Sequence, residues 1–470
     1  MRIIIYICGL LFITSCTRVL DQTPQDRISE QNFYKTATDA ESAVVGIYNS
    51  VQTFAQSSGP QYPLAFDAGS DLDSALLLNY NPYSKHLIPV DDPIVQNYWM
   101  NNYTGIGRCN DVIQNVGGMD STLFASGQKQ RILGEAYFMR AYFYFGLIRA
   151  YGDVPIVTVP YQSYNTNFTI PRSATADVFK QILADLKIAE ATLPVTYPAS
   201  IDTRGRATQG GAKALLAQVY LSTKDYANAA AKALEVMNNS TYTLVTGAAA
   251  YRSMFSPNGK NGTESIFEIQ YLTSSNQPNS LSSFYLPNGV PSGIQPSSYQ
   301  IAPTAKIVNA FETGDIRAAT AVARSTDKIP VPYVFKYQRL TNGTDQNFIA
   351  IRLAEIILLR AEALNNQGQT TDAIAALNII RRRAFGLPLD VASVHDFPSA
   401  NDLANNYTLA LAIENERMKE LCFEGQRFYD LARTGRSQDI MNVPANRMVW
   451  PIPLREIGRN PLLTQNEAYK

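Results

Sequence analysis

Apolar residues recur at helical spacing through most of this 470-residue chain. In AKALLAQVYLSTKDYANAAAKALEVM, from Ala212, the residues Ala217, Tyr220, Tyr226, Ala229 and Ala233 fall on two helical segments broken at Ser222–Asp225. Antiparallel helices approach closely only where small Ala residues meet large Tyr or Leu side chains, so this spacing predicts a helix pair. LLRAEALNNQGQTTDAIAALNIIRRRA, from Leu358, repeats it with Ala361, Leu364, Gly368 and Ala373 at matching offsets; Ala217/Ala361 and Ala229/Ala373 are each 144 residues apart. A third copy, MRAYFYFGLIRAYGDVP from Met139, holds Ala141 and Tyr144 in the first-helix positions. Its partner helix is expected at 174–193, across a loop swollen by about twenty residues, the usual place for insertions in a repeat. A fourth pair is expected around 410–421 and 426–433.

These pairs resemble tetratricopeptide-type repeats and predict a mainly α, helical-pair scaffold. Between them the pattern breaks. Residues 56–92 are rich in Pro, Asp, Asn, Ser and Tyr, and residues 256–303 in Gly, Asn, Pro and Ser. In the second stretch only SIFEIQY, from Ser265, alternates as a strand does. Irregular stretches this long are functional or disordered, and the aromatics Tyr271, Phe284, Tyr285 and Tyr299 argue for order.

The first residues obey a different rule. Arg2 precedes an apolar run from Ile3 to Ile13, too short for a span that needs roughly twenty residues, so it reads as a secretory signal. Ile13-Thr14-Ser15-Cys16 resembles a bacterial lipobox, which makes Cys16 the acylated N-terminus of a membrane-tethered body. One acyl chain holds a protein only marginally, so such an anchor carries several. The expected organisation is a signal peptide at 1–15, a helical N-terminal region at 16–254, a loop-rich ligand-face segment at 255–303, and a C-terminal region at 304–470.

Charge narrows the function. Forty basic residues balance forty acidic ones and only 17% of the chain is charged, so there is no electrostatic case for nucleic acid. With 27 Tyr, 20 Phe and 2 Trp, the chain suits neutral hydroxylated ligands. Cys8 leaves with the signal and Cys16 takes lipid; Cys109 and Cys422 remain, both in helical-looking stretches, and are expected as buried free thiols, with a disulfide between them as the alternative. His86 and His395 are the two histidines, and no metal, thiol-redox, hydrolase or phosphate-loop motif is present. GIGRCN, from Gly105, lacks the third Gly and the preceding strand of a dinucleotide fingerprint.

The densest charge cluster is ENERMKELCFEGQRFYDLARTGR, from Glu414. Glycoside hydrolysis needs two carboxyl groups facing each other across a cleft, one with a raised pKa. Here Glu416, Glu420 and Glu424 instead share one helix face, interleaved with Arg417, Arg427 and Asp430, which predicts ionised carboxylates in salt bridges.

That same string resembles the ER-x-x-E-L-x-x-E-G-x-R-x-x-D-L-x-R signature of the SusD/RagB family. LDQTPQDRISEQNF from Leu20, RAYFYFGLIRAYGDVPIV from Arg140, PTAKIVNAFETGDIRAA from Pro303 and FIAIRLAEIILLRAEALN from Phe348, the last as a helix, are similar to further family segments. WPIPLREIGRNPLLTQNEAY, from Trp450, resembles the family's terminal motif, departing at Glu467-Ala468 where Pro-Gly is usual. The resemblance implies a SusD-like fold of four helix pairs with irregular segments and minor β-hairpins on one face. It implies a cell-surface lipoprotein of the outer membrane that binds an oligosaccharide and delivers it to a SusC-like TonB-dependent transporter, with no enzyme activity; no cofactor and no metal ligand is assigned, and whether a structural metal supports a loop stays open.

Family precedent places the ligand on the segments from Asp67, from Asn97 and from Ser282. A sugar offers apolar faces and a hydroxyl rim, which call for flat aromatics and a few fixed polar groups. Asp73 is therefore expected as a hydroxyl acceptor, Tyr80 and Tyr83 as loop aromatics, Trp99 and Asn102 as a stacking face and an amide one turn apart, and Tyr285 and Tyr299 as the opposite wall. Each has a packing alternative: Trp99 as core, Tyr80 and Tyr83 as pins for a loop. Trp450 is expected to be structural. Two Trp make no Trp-rich arc, so a glycan other than starch, or a peptide, stays open. A surface glycan hydrolase and a pure protein scaffold are the competing readings.

Overall fold

The computed structural model describes residues 33–52, 62–160, 169–272, 279–340 and 346–470. The expected signal segment, 1–15, and Cys16 lie outside them. Helix pairs build most of the molecule, as the periodicity predicts. Gln209–Ser222 pairs with Tyr226–Met237, and Leu353–Asn366 with Thr370–Ala384. Gln128–Tyr151 pairs with Thr175–Thr192, and Leu409–Glu420 is followed by Arg427–Thr434. Ala217, Ala229, Ala233, Ala361 and Ala373 are fully buried at the contacts. The first pair turns at 223–225, where the Asp225 carboxylate accepts the Asn228 N–H at 3.2 Å and caps the second helix. The second turns at Gly368, whose φ of +73° favours glycine.

Helix Ala37–Gln52 and the 26-residue helix Pro93–Gly118 pack against the third pair. The GIGRCN string lies inside the latter, and its glycine has a packing role: a Cβ on Gly105 would stand 2.3 Å from the Phe143 ring of the crossing helix. Arg140 ties the third pair together from inside, donating from Nε and Nη2 to Asp185 at 2.8 and 2.7 Å.

Among the described residues the strands form three two-stranded antiparallel sheets. β1 (Asp73–Ala75) pairs with β3 (Ile301–Pro303), β2 (Ser265–Ile269) with β6 (Phe348–Arg352), and β4 (Val322–Arg324) with β5 (Pro332–Val334). β2 is the strand expected from SIFEIQY, with all five residues buried. The helix expected from Phe348 needs correction: 348–352 are extended and the helix starts at Leu353. The Phe-Ile-Ala-Ile alternation suits a pleated strand, and β2, some eighty residues earlier in the chain, supplies its backbone partners.

No helix among the described residues is long and apolar enough to cross a membrane.

Candidate functional site

The β1–β3 pair joins the two irregular segments. Asp73 lies opposite Pro303 and Ala75 opposite Ile301. The contact is extended at both ends, by Thr304 N–H to Leu72 O and by Leu76 N–H to Gln300 O, each at 2.8 Å. Residues 69–76 and 300–304 are thereby fixed to each other, and their side chains stand beside the short helices Tyr62–Ala68, Asn81–Ser84 and Leu281–Tyr285.

The pairing brings Asp73, Tyr80, Tyr83 and Tyr285 into one neighbourhood, but inside the protein. Tyr80 is 3% exposed, edge-on to Phe284 at 6.1 Å and tilted against Tyr83 at 6.4 Å. Tyr83 donates its hydroxyl to Asp92 at 2.7 Å, and the same Asp92 oxygen accepts the Ile94 and Val95 N–H groups that open the long helix. Tyr83 thus pins the loop to that helix cap. Tyr285 is fully buried, donates to Asp67 at 3.2 Å and stacks on Tyr337.

Trp99 and Asn102 point elsewhere. Trp99 is packed between Tyr103 and Tyr151, both 5.0 Å away between ring centres. Asn102 is buried, with its amide donating to Tyr98 O at 2.7 Å. Of the seven residues, Tyr299 alone is half-buried; it adopts φ +45° and donates its hydroxyl to Pro332 O at 2.5 Å. Trp450 is structural, as expected: it stacks on Phe66 at 4.3 Å and receives the edges of Tyr83, Tyr98 and Tyr151.

Electrostatics sets Asp67 and Asp73 apart. Asp67 accepts the Gly425 N–H at 2.9 Å as well as the Tyr285 hydroxyl, yet burial outweighs both and pushes its pKa up to about 7. Asp73 has no hydrogen-bond partner for either carboxyl oxygen among the described residues. Burial, and then the charge of Asp67, hold it well above the ordinary range. Asp71, between them, is different: paired with Arg427 at 2.8 Å and with Lys306, it is held low against burial.

The Glu row is paired with cations as predicted, but it does not share one helix face: the helix ends at Glu420, and of the three only Glu416 and Glu420 lie on it. Glu416 pairs with Arg317 at 2.7 Å. Glu420 meets Arg352 and Arg383 at 2.5 Å and Arg317 at 3.0 Å, and Glu424 meets Arg352 at 2.7 Å and Lys336 at 2.5 Å. Burial alone would raise these carboxyls, but the cations prevail: Glu416 sits at about 2, Glu420 well below its ordinary value, and Glu424 is lowered. Glu424 lies just past the helix end at Glu420. Cys109 and Cys422 are free and buried, as expected.

Sequence reasoning passed over Asp67, which is buried where Asp73 was expected to act, and Phe284, which is half-buried against Tyr80. It also passed over Leu76, Leu77 and Leu78, exposed by 47%, 45% and 82% beside the β1–β3 pair. Three leucines in a run among Asn and Ser were the available signal.

Comparison with known proteins agrees with this architecture. Residues 324–442 match the profile described as the SusD family, and residues 20–221 the one described as starch-binding associating with outer membrane. Two SusD-like proteins of Formosa agariphila are each 27% identical, one over 97% of this chain and 96% of its own length, the other over 99% of both. Among solved structures, a laminarin-binding SusD-like protein superposes with a TM-score of 0.80 at 25% identity, covering 93% of this chain and all of that one. A SusD-like protein from Bacteroides fragilis has a TM-score of 0.78 at 24% identity over 95% of this chain and 100% of its own. The surface glycan-binding protein A from Bacteroides fluxus also reaches 0.78, at 22% identity over 92% of this chain and 100% of its own.

Proposed function

We propose, from the premise that this chain belongs to the SusD/RagB family, that it is a cell-surface glycan-binding protein that captures an oligosaccharide and passes it to a SusC-like TonB-dependent outer-membrane transporter. The observation that carries the reading is the end-to-end likeness to a SusD-like protein named for binding laminarin. A profile whose description joins starch binding to the outer membrane supports it further.

The glycan lies along the rim of the β1–β3 pair. Tyr299 and Phe284 are the half-buried aromatics there, and Ser74 and Asn79 are exposed. Tyr80, Tyr83, Asp73 and Tyr285 form the packed floor that holds this rim in place, while Trp99 and Asn102 brace the helix behind it. A rigid scaffold presenting loop residues is the usual division of labour at binding sites. Anchoring is through acylated Cys16. In this reading the protein binds without cutting: its Glu row is ionised and locked to arginines, and Asp67 and Asp73, the carboxyl pair with raised pKa, are buried side by side beneath the rim and do not face each other across a cleft as hydrolysis needs.

Calorimetric titration of the acyl-free protein, beginning at Thr17, against a panel of β- and α-glucans and other oligosaccharides tests the reading. Saturable binding to one linkage class, with the oligosaccharide recovered intact after incubation, is the expected result. Binding of peptides and of no glycan, or release of shorter sugars, overturns it. Palmitate labelling lost in Cys16→Ala, and recovery of a TonB-dependent receptor with the native protein from outer membranes, test the anchor and the partner.

A further inference from the structure

We propose that the partly open cavity among the helix pairs is a second binding site, for a small carboxylate held by Arg149 and Arg417. The inference is independent of the glycan reading, because the cavity lies among the helices and not at the β1–β3 rim.

Helices Gln128–Tyr151, Gln209–Ser222, Leu353–Asn366, Leu409–Glu420 and Arg427–Thr434 all contribute to the wall of a cavity of about 250 Å³. A smaller one of about 60 Å³ shares Phe145, Arg149, Gln218 and Tyr429 with it. The larger volume falls just below the range of drug-sized pockets, which sets the ligand at a few heavy atoms to one small ring.

Two guanidinium groups supply the chemistry. Arg149 is clamped between the rings of Phe145 and Tyr429, at 4.4 and 4.0 Å from their centres. It has neither a hydrogen bond nor an ion pair among the described residues, and its Nε is shut off from solvent. Arg417, 5% exposed, spends Nε and Nη2 on Asp430 at 3.0 Å and leaves a buried Nη1 without a partner. A buried unpaired donor on a charged group costs more than a neutral one, and planar guanidinium forks match carboxylates.

The local charge agrees. Arg433 engages both Asp430 and Glu362, and Arg417 also engages Asp430, while Arg149 pairs with neither carboxylate. That leaves one positive charge over, to be met either by Glu355 or by a ligand. Glu355 is buried, with Oε1 accepting the Gln218 amide at 2.7 Å. Burial raises its pKa to about 7; Arg417 and Arg149 pull it down, and Asp430 and Glu424 push it up. When Glu355 holds a proton the excess charge is free for an anion. A bound anion disfavours ionisation of Glu355, so carboxylate affinity falls as pH rises through about 7.

The test is calorimetric titration of the acyl-free protein with sodium benzoate and sodium glucuronate, against sodium chloride at matched ionic strength. We expect saturable binding of at least one carboxylate, weakened about tenfold or more in Arg149→Met, the loss of one charge-assisted contact. The pH dependence should flatten in Glu355→Gln, which keeps the Gln218 contact. Because Arg149 has no protein ion pair, Arg149→Met is expected to fold, and its unfolding midpoint is measured alongside. No saturable heat with either carboxylate, an equal response to chloride, or unchanged affinity in a folded Arg149→Met protein overturns the proposal.

Discussion

Arg352 Nη1 meets Glu420 Oε1 at 2.5 Å, and both side chains are 1% exposed or less. Arg352 ends strand β6 and Glu420 ends helix Leu409–Glu420, so this contact couples the second helix pair to the fourth. Around it Glu264, Glu424, Arg383 and Arg317 complete a buried lattice of ion pairs. Breaking one member of such a set leaves an uncompensated buried charge, at about 3–5 kcal/mol. Arg352→Met is therefore expected to lower the urea unfolding free energy by that amount, and Glu420→Gln by a comparable one. A loss under about 1 kcal/mol contradicts the account.

The acid limb of stability follows from the same carboxylates. Glu416, Glu420 and Glu424 have folded pKa values below their unfolded ones, Glu416 at about 2. Their stabilisation is present above the unfolded value and is lost as pH falls toward about 2. Unfolding midpoints measured downward from about pH 5 should drop steeply, and less steeply in Glu416→Gln, which starts lower but has one fewer group to protonate.

Asp67 and Asp73 act in the opposite sense. Their folded pKa values are raised, Asp67 to about 7. Stability from these groups is complete below the unfolded value near 4 and is lost as pH rises through about 7. The protein should weaken by a few kcal/mol, on the order of 1.4 per pKa unit, between about pH 5 and pH 8. Asp73→Asn should remove part of that slope in a thermal-melt series, and an unchanged slope contradicts the assignment.

Gly105→Ala places a methyl 2.3–2.7 Å from the Phe143 ring. Overpacking of this kind costs about 1–3 kcal/mol, and chemical denaturation should show it without a change in glycan affinity.

At the proposed rim, Tyr299→Ala should weaken glycan binding about tenfold, the value of one lost aromatic platform. Trp99→Ala should cost about 3–5 kcal/mol of stability and leave the affinity of the folded protein unaltered. Titration of both variants beside their melting curves separates contact from core.

Cysteine chemistry offers a further check. Burial pushes Cys422 up to about 12 and Cys109 well above its ordinary value. Neither thiol should react with a disulfide reagent in the native protein at pH 8, and both should after denaturation.

Local periodicity determined what lies within one element or one turn. The Ala and Tyr spacing in 212–237 and 358–384 placed the helix pairs, because close helix packing demands small residues at fixed offsets. The Glu-Arg interleaving from Glu414 announced ion pairs rather than a catalytic couple. Tertiary structure decided what depends on distant partners. β6 pairs with β2, and that partner settles it as a strand; the alternation over 348–351 suits a strand but is too short on its own to be told from the start of the helix that follows. Tyr80, Tyr83, Trp99 and Tyr285 look alike as sugar platforms and as core residues, since an aromatic ring serves either use equally well. Their burial was settled by how β1 meets β3 and how Trp450 returns from the far end of the chain to stack on Phe66. Composition reports which side chains are available, and only the packing of remote segments determines which of them still face water.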